Sequence, residues 1–376
     1  MADSSNAPLV PDYGGACVSN LIPALLQHAE IGRGWIADDV LEARQVVLFV
    51  VDGLGWDQLE ARRDLAPTLA SMAARSITTV APTTTATALT SIATGAPPGD
   101  HGLIGYKMRV AGELLNSLRW ASELGDARDR IEPAELQPLD PFTGARPVVV
   151  SQAQFMETGF TRAHLRDTDY RPYWLPSSVP VEINRALREG ARFVYAYHDG
   201  IDKIAHITGL GDLYDAELRH VDAMVARIIE QLPAGAALAV TADHGQVQVG
   251  DNMIPIAADV LDLTAHISGE ARFVWLHANG DRAGDLLAAA AASHGDVAWV
   301  VPVERVLDEG WFGGRVSPEA RSRLGDVALV AFDDVALVDP DRPGPMLQSR
   351  HGSLTSAELH VPLLTASAEC RAGMGA

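Results

Sequence analysis

Three stretches far apart in the chain share one form, an apolar and largely β-branched run that stops at an acid and a glycine. They read QVVLFVVDG, RFVYAYHDG and AALAVTADHG, and they end at Gly53, Gly200 and Gly245. Runs of this length without polar alternation suit strands covered on both faces, which is the condition of a parallel sheet. Apolar residues recur every three or four positions in VPVEINRALREG, which ends at Gly190, and over 213–232, so helices are predicted between the strands. Strands alternating with helices predict an α/β fold, with a mostly parallel central sheet and helices on both faces.

Open sheets of this kind bind ligands beyond the carboxyl ends of their strands. The acids that end the three runs therefore fall where such a fold places its chemistry. From 251 to 339 the texture changes: RFVWLHA, DRAGDLLAAAAASHG, VAWVVP, SPEARSRLG and DVALVAFDDVALVD predict a compact β-α-β-α-β insertion. We read it as a small α+β cap over the active site, between core segments 41–250 and 340–376, with residues 1–40 as an N-terminal segment. The stretch 106–180 is rich in Pro, Asp and Arg and predicts long loops.

Charge narrows the partners. With 29 basic and 49 acidic residues the net charge is −20, a field that repels polyanions and excludes a nucleic acid polymer as partner. Phosphorylated small molecules stay accessible only where local cations cancel that field. Cys17 and Cys370 show neither a disulfide framework nor metal-site spacing, and both read as free thiols. The N-terminus has no basic stretch followed by an apolar core, and no apolar run reaches the ~18 residues of a membrane span. The expectation is a cytoplasmic protein with no membrane partner, its oligomeric state left open.

The acids and histidines form an ordered set. Asp52 ends the first run, Asp202 and His206 stand four apart in HDGIDKIAHITG, Asp243 and His244 are adjacent in TADHG, and His351 lies in SRHGS. Each has a plain structural reading by itself: Asp-Gly makes turns, and an i,i+4 Asp–His pair suits a helix surface. Together they are three carboxylates and three imidazoles, ligands that suit zinc and also manganese or iron. Six such groups serve two metals with three protein ligands each, leaving each metal an open position. In APTTTATALTSIATG, residues 81–95, three threonines open a helix-like run. A threonine there is either a helix cap or an oxygen that meets phosphate at the positive end of the helix.

The order of Asp52, the threonines, Asp202-x-x-x-His206, Asp243-His244-Gly245 and His351-Gly352 resembles the alkaline phosphatase superfamily, and most closely its nucleotide pyrophosphatase/phosphodiesterase branch, from about 45 to 365. The resemblance implies Thr85 as nucleophile, followed as in the family by Thr94-Gly95 and His101-Gly102. It implies one zinc held by Asp202, His206 and His351, and another held by Asp52, Asp243 and His244 with the Thr85 oxygen, with Mn²⁺ or iron as alternatives to Zn²⁺. Thr83 or Thr84 is then left to cap. The implied reaction cleaves a small phosphodiester or pyrophosphate through a covalent phosphothreonine, with backbone N–H groups including that of Ala86 donating to phosphoryl oxygen.

The branch supplies an asparagine in the loop after its His-Gly, where this chain has Tyr106. Tyrosine donates one hydrogen bond and an amide two. The adjacent Lys107, one of two lysines in the chain, either stays in water or brings charge toward a monoester or phosphonate. The alternatives are thus phosphonoacetate hydrolase-like or phosphomonoesterase activity and, outside enzymes, an inactive binding homologue. PTTTATA lacks the Cys/Ser-x-Pro-x-Arg setting of sulfatases, which excludes them.

Overall fold

The three acid-ending runs become adjacent strands at the middle of one seven-stranded sheet. In the computed structural model, which describes residues 7–368, the strands are β1 (Gln45–Val51), β2 (Ala73–Thr78), β3 (Val148–Gln152), β4 (Asp169–Tyr173), β5 (Phe193–His198), β6 (Ala236–Thr241) and β7 (His360–Ser367). Their order is β2-β7-β6-β1-β5-β3-β4. β6, β1, β5, β3 and β4 pair in parallel, while β7 runs antiparallel to β6 and to β2. Every residue of β5 and β6 is buried, which requires cover on both faces. Val47, Leu48, Phe49, Val50 and Val51 of β1 are wholly buried, each side chain contributing roughly 1.5–3 kcal/mol.

Register turns this pattern into a site. Val50 pairs with Thr241 and Val51 with His198, so the three chains leave the sheet side by side. Asp52 and Asp243 each lie two residues beyond that Val50–Thr241 pair, on strands ~4.8 Å apart. The chain after β5 turns at once into helix α1 (Gly200–Thr208), which carries Asp202 and His206 on one side. The two helices expected from periodicity are α2 (Val179–Arg188) and α3 (Asp212–Gln231).

Two regions differ from the sequence reading. The stretch 106–180, expected as loops, holds β3, β4 and a four-stranded antiparallel meander from Lys107 to Asp126. β4 (DYRPY) is an edge strand carrying proline and charge, and the meander strands are two to four residues long, too short for periodicity to register. The insertion contains a four-stranded antiparallel sheet ordered Thr264–Glu270, Phe273–Ala278, Val327–Ala331, Ala298–Pro302. Its first strand, TAHISGE, is polar at the edge and escaped the reading. Leu276, Leu286, Leu329 and Val274 give this sheet a core of its own. Among the described residues no helix is long and apolar enough to cross a membrane. Cys17 is a free, buried thiol, and Cys370 lies outside the described residues.

Candidate two-metal active site

Two groups of ligand-type side chains form at the carboxyl ends of the central strands. Asp52, Asp243 and His244 make one, fully buried; Asp202, His206 and His351 make the other, half-buried. Within each group the ligand atoms lie within 4.8 Å of one another. The groups abut, for the His244 and His351 rings stack at 3.6 Å between centroids and His206 sits 5.2 Å from His351.

All three imidazoles are oriented alike. The Nδ1 atoms of His206, His351 and His244 lie 2.7, 2.8 and 3.0 Å from the carbonyl oxygens of Ser349, Thr83 and Gly245. A carbonyl only accepts, so each Nδ1 donates to it and each Nε2 faces the interior of the site. The Nε2 atoms of His244 and His206 indeed face carboxylates, at 3.4 Å from Asp52 and 3.3 Å from Asp202. The carboxylates are steered too. Asp243 Oδ1 accepts from the N–H groups of Gly53 and His244 at 3.1 Å, Asp52 Oδ2 accepts from the Tyr197 hydroxyl, and Asp202 Oδ1 accepts from Gln246 at 2.6 Å.

Asp52 Oδ1 and Asp243 Oδ2 are buried and have no hydrogen-bond partner among the described residues. Burial, and then the Asp243 and Asp202 carboxylates, push the Asp52 carboxyl well above its ordinary range; burial raises Asp243 as well. Burial and the two neighbouring imidazoles drive His351 well below the ordinary histidine range, so it is neutral. Orphaned carboxylate oxygens beside pre-oriented imidazoles fit divalent cations, which would supply the positive charge that this buried group lacks.

Thr85 is the first residue of helix α4 (Thr85–Thr94), and its Oγ1 lies 3.1 Å from His244 Nε2. Every residue of that helix is buried, a consequence of its small side chains, and Ala86 is 0% exposed. The capping expectation for its neighbours needs correction. Thr84 is the N-cap, yet its side chain makes no capping bond. Thr83 Oγ1 instead donates to the Ser353 carbonyl and accepts from the Gly352 N–H, because that loop packs directly against it. His101 is buried, accepting from the Leu103 N–H and bonding Ser91 Oγ; burial lowers its pKa to about 3.

A cavity of about 820 Å³ opens onto this site between the core and the inserted sheet. Thr85, Asp202, His206 and His351 line one side of it, and Tyr106 and Lys107 also line it. Arg109, Glu270 and Arg350 line it as well, and none of the three was singled out in the sequence. A smaller, largely apolar cavity of about 190 Å³ meets Thr85 and Asp52 and is walled by Leu89, Phe155 and Phe160. Sequence reasoning also missed Tyr197, Gln246 and Thr83 as supports, since a residue that only aims a ligand has no spacing rule.

A threonine at a helix start, two acid–imidazole groups and strands that deliver them in this order match the arrangement that the resemblance to the alkaline phosphatase superfamily implies. The sequence pattern of type I phosphodiesterase / nucleotide pyrophosphatase matches residues 46–354. The chain belongs to that family of phosphoester hydrolases. Among solved structures, murine ectonucleotide pyrophosphatase / phosphodiesterase 5 superposes with a TM-score of 0.66 at 15% identity, over 86% of this chain and 88% of that one. The murine protein is also known as an inactive threonine-to-alanine variant in complex with AMP. Phosphonoacetate hydrolase from Sinorhizobium meliloti 1021, in complex with phosphonoacetate, superposes at 0.64 with 18% identity, over 86% of this chain and 90% of that one. At these identities the superpositions speak for the fold. No curated protein matches the sequence.

Proposed function

We propose that this protein hydrolyses a small phosphodiester or pyrophosphate, such as a nucleotide derivative, through a covalent phosphothreonine on Thr85. The observation that carries the reading is the Thr85 hydroxyl at 3.1 Å from His244 Nε2, on the wall of a cavity that the Asp202 group also lines. Asp52, Asp243 and His244 would hold one divalent cation and Asp202, His206 and His351 another, Zn²⁺ foremost and Mn²⁺ or iron as alternatives. When bound, such cations supply Lewis-acid activation of a hydroxyl and neutralise phosphoryl charge.

The residues themselves do the positioning. The Thr85 oxygen forms a bond to phosphorus as the bond to the leaving oxygen breaks; water then cleaves the Thr85–phosphorus bond and restores the hydroxyl. N–H groups in the first turn of the helix, including that of Ala86, lack intrahelical partners and are free to donate to a non-bridging oxygen. Tyr106 contributes one phenolic donor from the cavity wall. Murine ectonucleotide pyrophosphatase / phosphodiesterase 5, inactive as the threonine-to-alanine variant, supports the same assignment for Thr85.

A second reading is hydrolysis of a phosphonate or monoester carrying extra negative charge. It is favoured by Lys107, Arg109 and Arg350 on the wall of the large cavity of a protein that is otherwise strongly acidic. Turnover of bis-p-nitrophenyl phosphate, p-nitrophenyl phosphate and phosphonoacetate by the zinc-loaded protein ranks the two. Diester turnover with a phosphorylated Thr85 peptide trapped at low pH supports the first, and phosphonoacetate as the sole good substrate selects the second. Fewer than two bound equivalents of transition metal after incubation with zinc or manganese would favour the inactive homologue.

A further inference from the structure

One hairpin of the inserted sheet reaches the catalytic end of the core with its tip. Strands Thr264–Glu270 and Phe273–Ala278 pair Glu270 with Phe273, which leaves Ala271 and Arg272 as the turn. Arg272 and Glu358 of the core are both 0% exposed and meet as a bidentate pair, with both N···O distances at 2.8 Å. The remaining Arg272 donors go to the carbonyls of Asp333, Val335 and Ala331, so all five of its N–H groups are used.

Glu358 spends its other capacity on the loop that carries His351. Its Oε1 accepts from the Ser353 N–H at 2.9 Å and its Oε2 from the Thr355 hydroxyl at 2.6 Å. Ser353 is held again by its own hydroxyl, which donates to Ala331 of the inserted sheet. The Ser353 carbonyl accepts from Thr83 Oγ1, the Gly352 N–H donates to the same oxygen, and the Thr83 carbonyl fixes His351 Nδ1. At the hairpin's other corner Glu270 packs on Gly352. A Cβ at Gly352, whose φ is +130°, would lie 2.9 Å from Glu270 Cγ.

Stability alone does not account for this pair, because a buried ion pair rarely outperforms apolar side chains of similar volume. What it does provide is a rigid acceptor for a loop that contributes a ligand. We propose that Arg272, acting through Glu358 and Ser353, is a positioning residue for His351, so that the inserted sheet completes the Asp202–His206–His351 site and leaves the Asp52–Asp243–His244 site to the central sheet. The inference rests on the two-metal reading above.

The double variant R272M/E358L removes both charges together, so neither is left buried and unpaired, and its thermal melt checks that it folds. Metal-free protein titrated with Zn²⁺ in a calorimeter should show two sites in the wild type. In the variant, one site should weaken by roughly 10–100-fold, the range for lost supports of metal ligands, with the other unchanged. His351→Ala identifies the affected site by abolishing the same step of the isotherm. Ser353→Ala cuts the separate hydroxyl tie from this loop to Ala331 and should weaken that site alone by several-fold, which tests the inserted sheet's part in completing the site if the double variant does not fold. Two wild-type sites in the variants, or equal weakening of both, overturns the positioning role while leaving the two-metal reading intact. A wild-type protein that takes up no zinc removes that reading and this inference with it.

Discussion

The two acid–imidazole groups differ in what builds them. Asp52, Asp243 and His244 follow directly on β1 and β6, strands whose register is set by two buried apolar runs, and their side chains are 0–3% exposed. Asp202, His206 and His351 come from a short helix and from a loop more than 140 residues later, and they line an open cavity. One group is a by-product of sheet pairing, stiff and short of positive charge; the other exists only while separate elements are docked. Binding chemistry of one kind can thus rest on supports of very different strength.

The largest effect tests what the groups share. Thr85→Ala should lower turnover by roughly 10⁴-fold or more while both metals stay bound, because it removes the attacking oxygen and no ligand carboxylate or imidazole. Near wild-type turnover in that variant would end the nucleophile assignment. Next comes the difference itself: His351→Ala and Asp243→Ala should each retain one zinc equivalent, by metal analysis, in opposite sites. If either variant loses both, the two groups are one cooperative unit and the contrast fails.

Support of the buried group is expected to be worth less. Tyr197→Phe takes a donor from Asp52 Oδ2 and should weaken zinc at the buried site by roughly 10–100-fold, read by competition with a chelating dye. The smallest effect is a pH signature of the metal-free protein. The Asp52 and Asp243 carboxyls bind protons more tightly folded than unfolded, so their contribution to stability falls as pH rises from about 4 toward their raised values. His351 behaves oppositely: it stays neutral when folded, so its contribution is present above 6.5 and is lost as pH falls below it. Melting temperatures of chelated protein should move by a few degrees on each limb, on the order of 2–4 °C per kcal/mol. Asp52→Asn should flatten the limb that follows the carboxyls, and a flat limb in the wild type would show that those carboxyls are not perturbed.

Much of the architecture was legible before folding was considered. β1, β5 and β6 announced themselves because strands buried on both faces must be continuously apolar, and α2 and α3 because a helix with one buried side repeats every three to four residues. β4, the short meander and the first strand of the inserted sheet did not, since edge strands tolerate proline, charge and polar residues and so carry no distinctive pattern. The caps expected at Thr83 and Thr84 failed for a related reason. Local propensity offered those hydroxyls to the helix, and a loop from residues 351–353 claimed one of them instead.

The chain by itself determined the order of acids and histidines, the strand ends on which Asp52 and Asp243 fall and the helical spacing of Asp202 and His206, because burial and periodicity are local demands on residue type. Tertiary structure alone decided which nitrogen each imidazole turns inward, that Tyr197 and Gln246 aim the carboxylates, and that Arg272 reaches Glu358 across 86 residues. Those contacts depend on strand register and on the docking of distant loops, where any residue with the right atom at the right point would serve. No spacing rule in a linear sequence encodes such a coincidence.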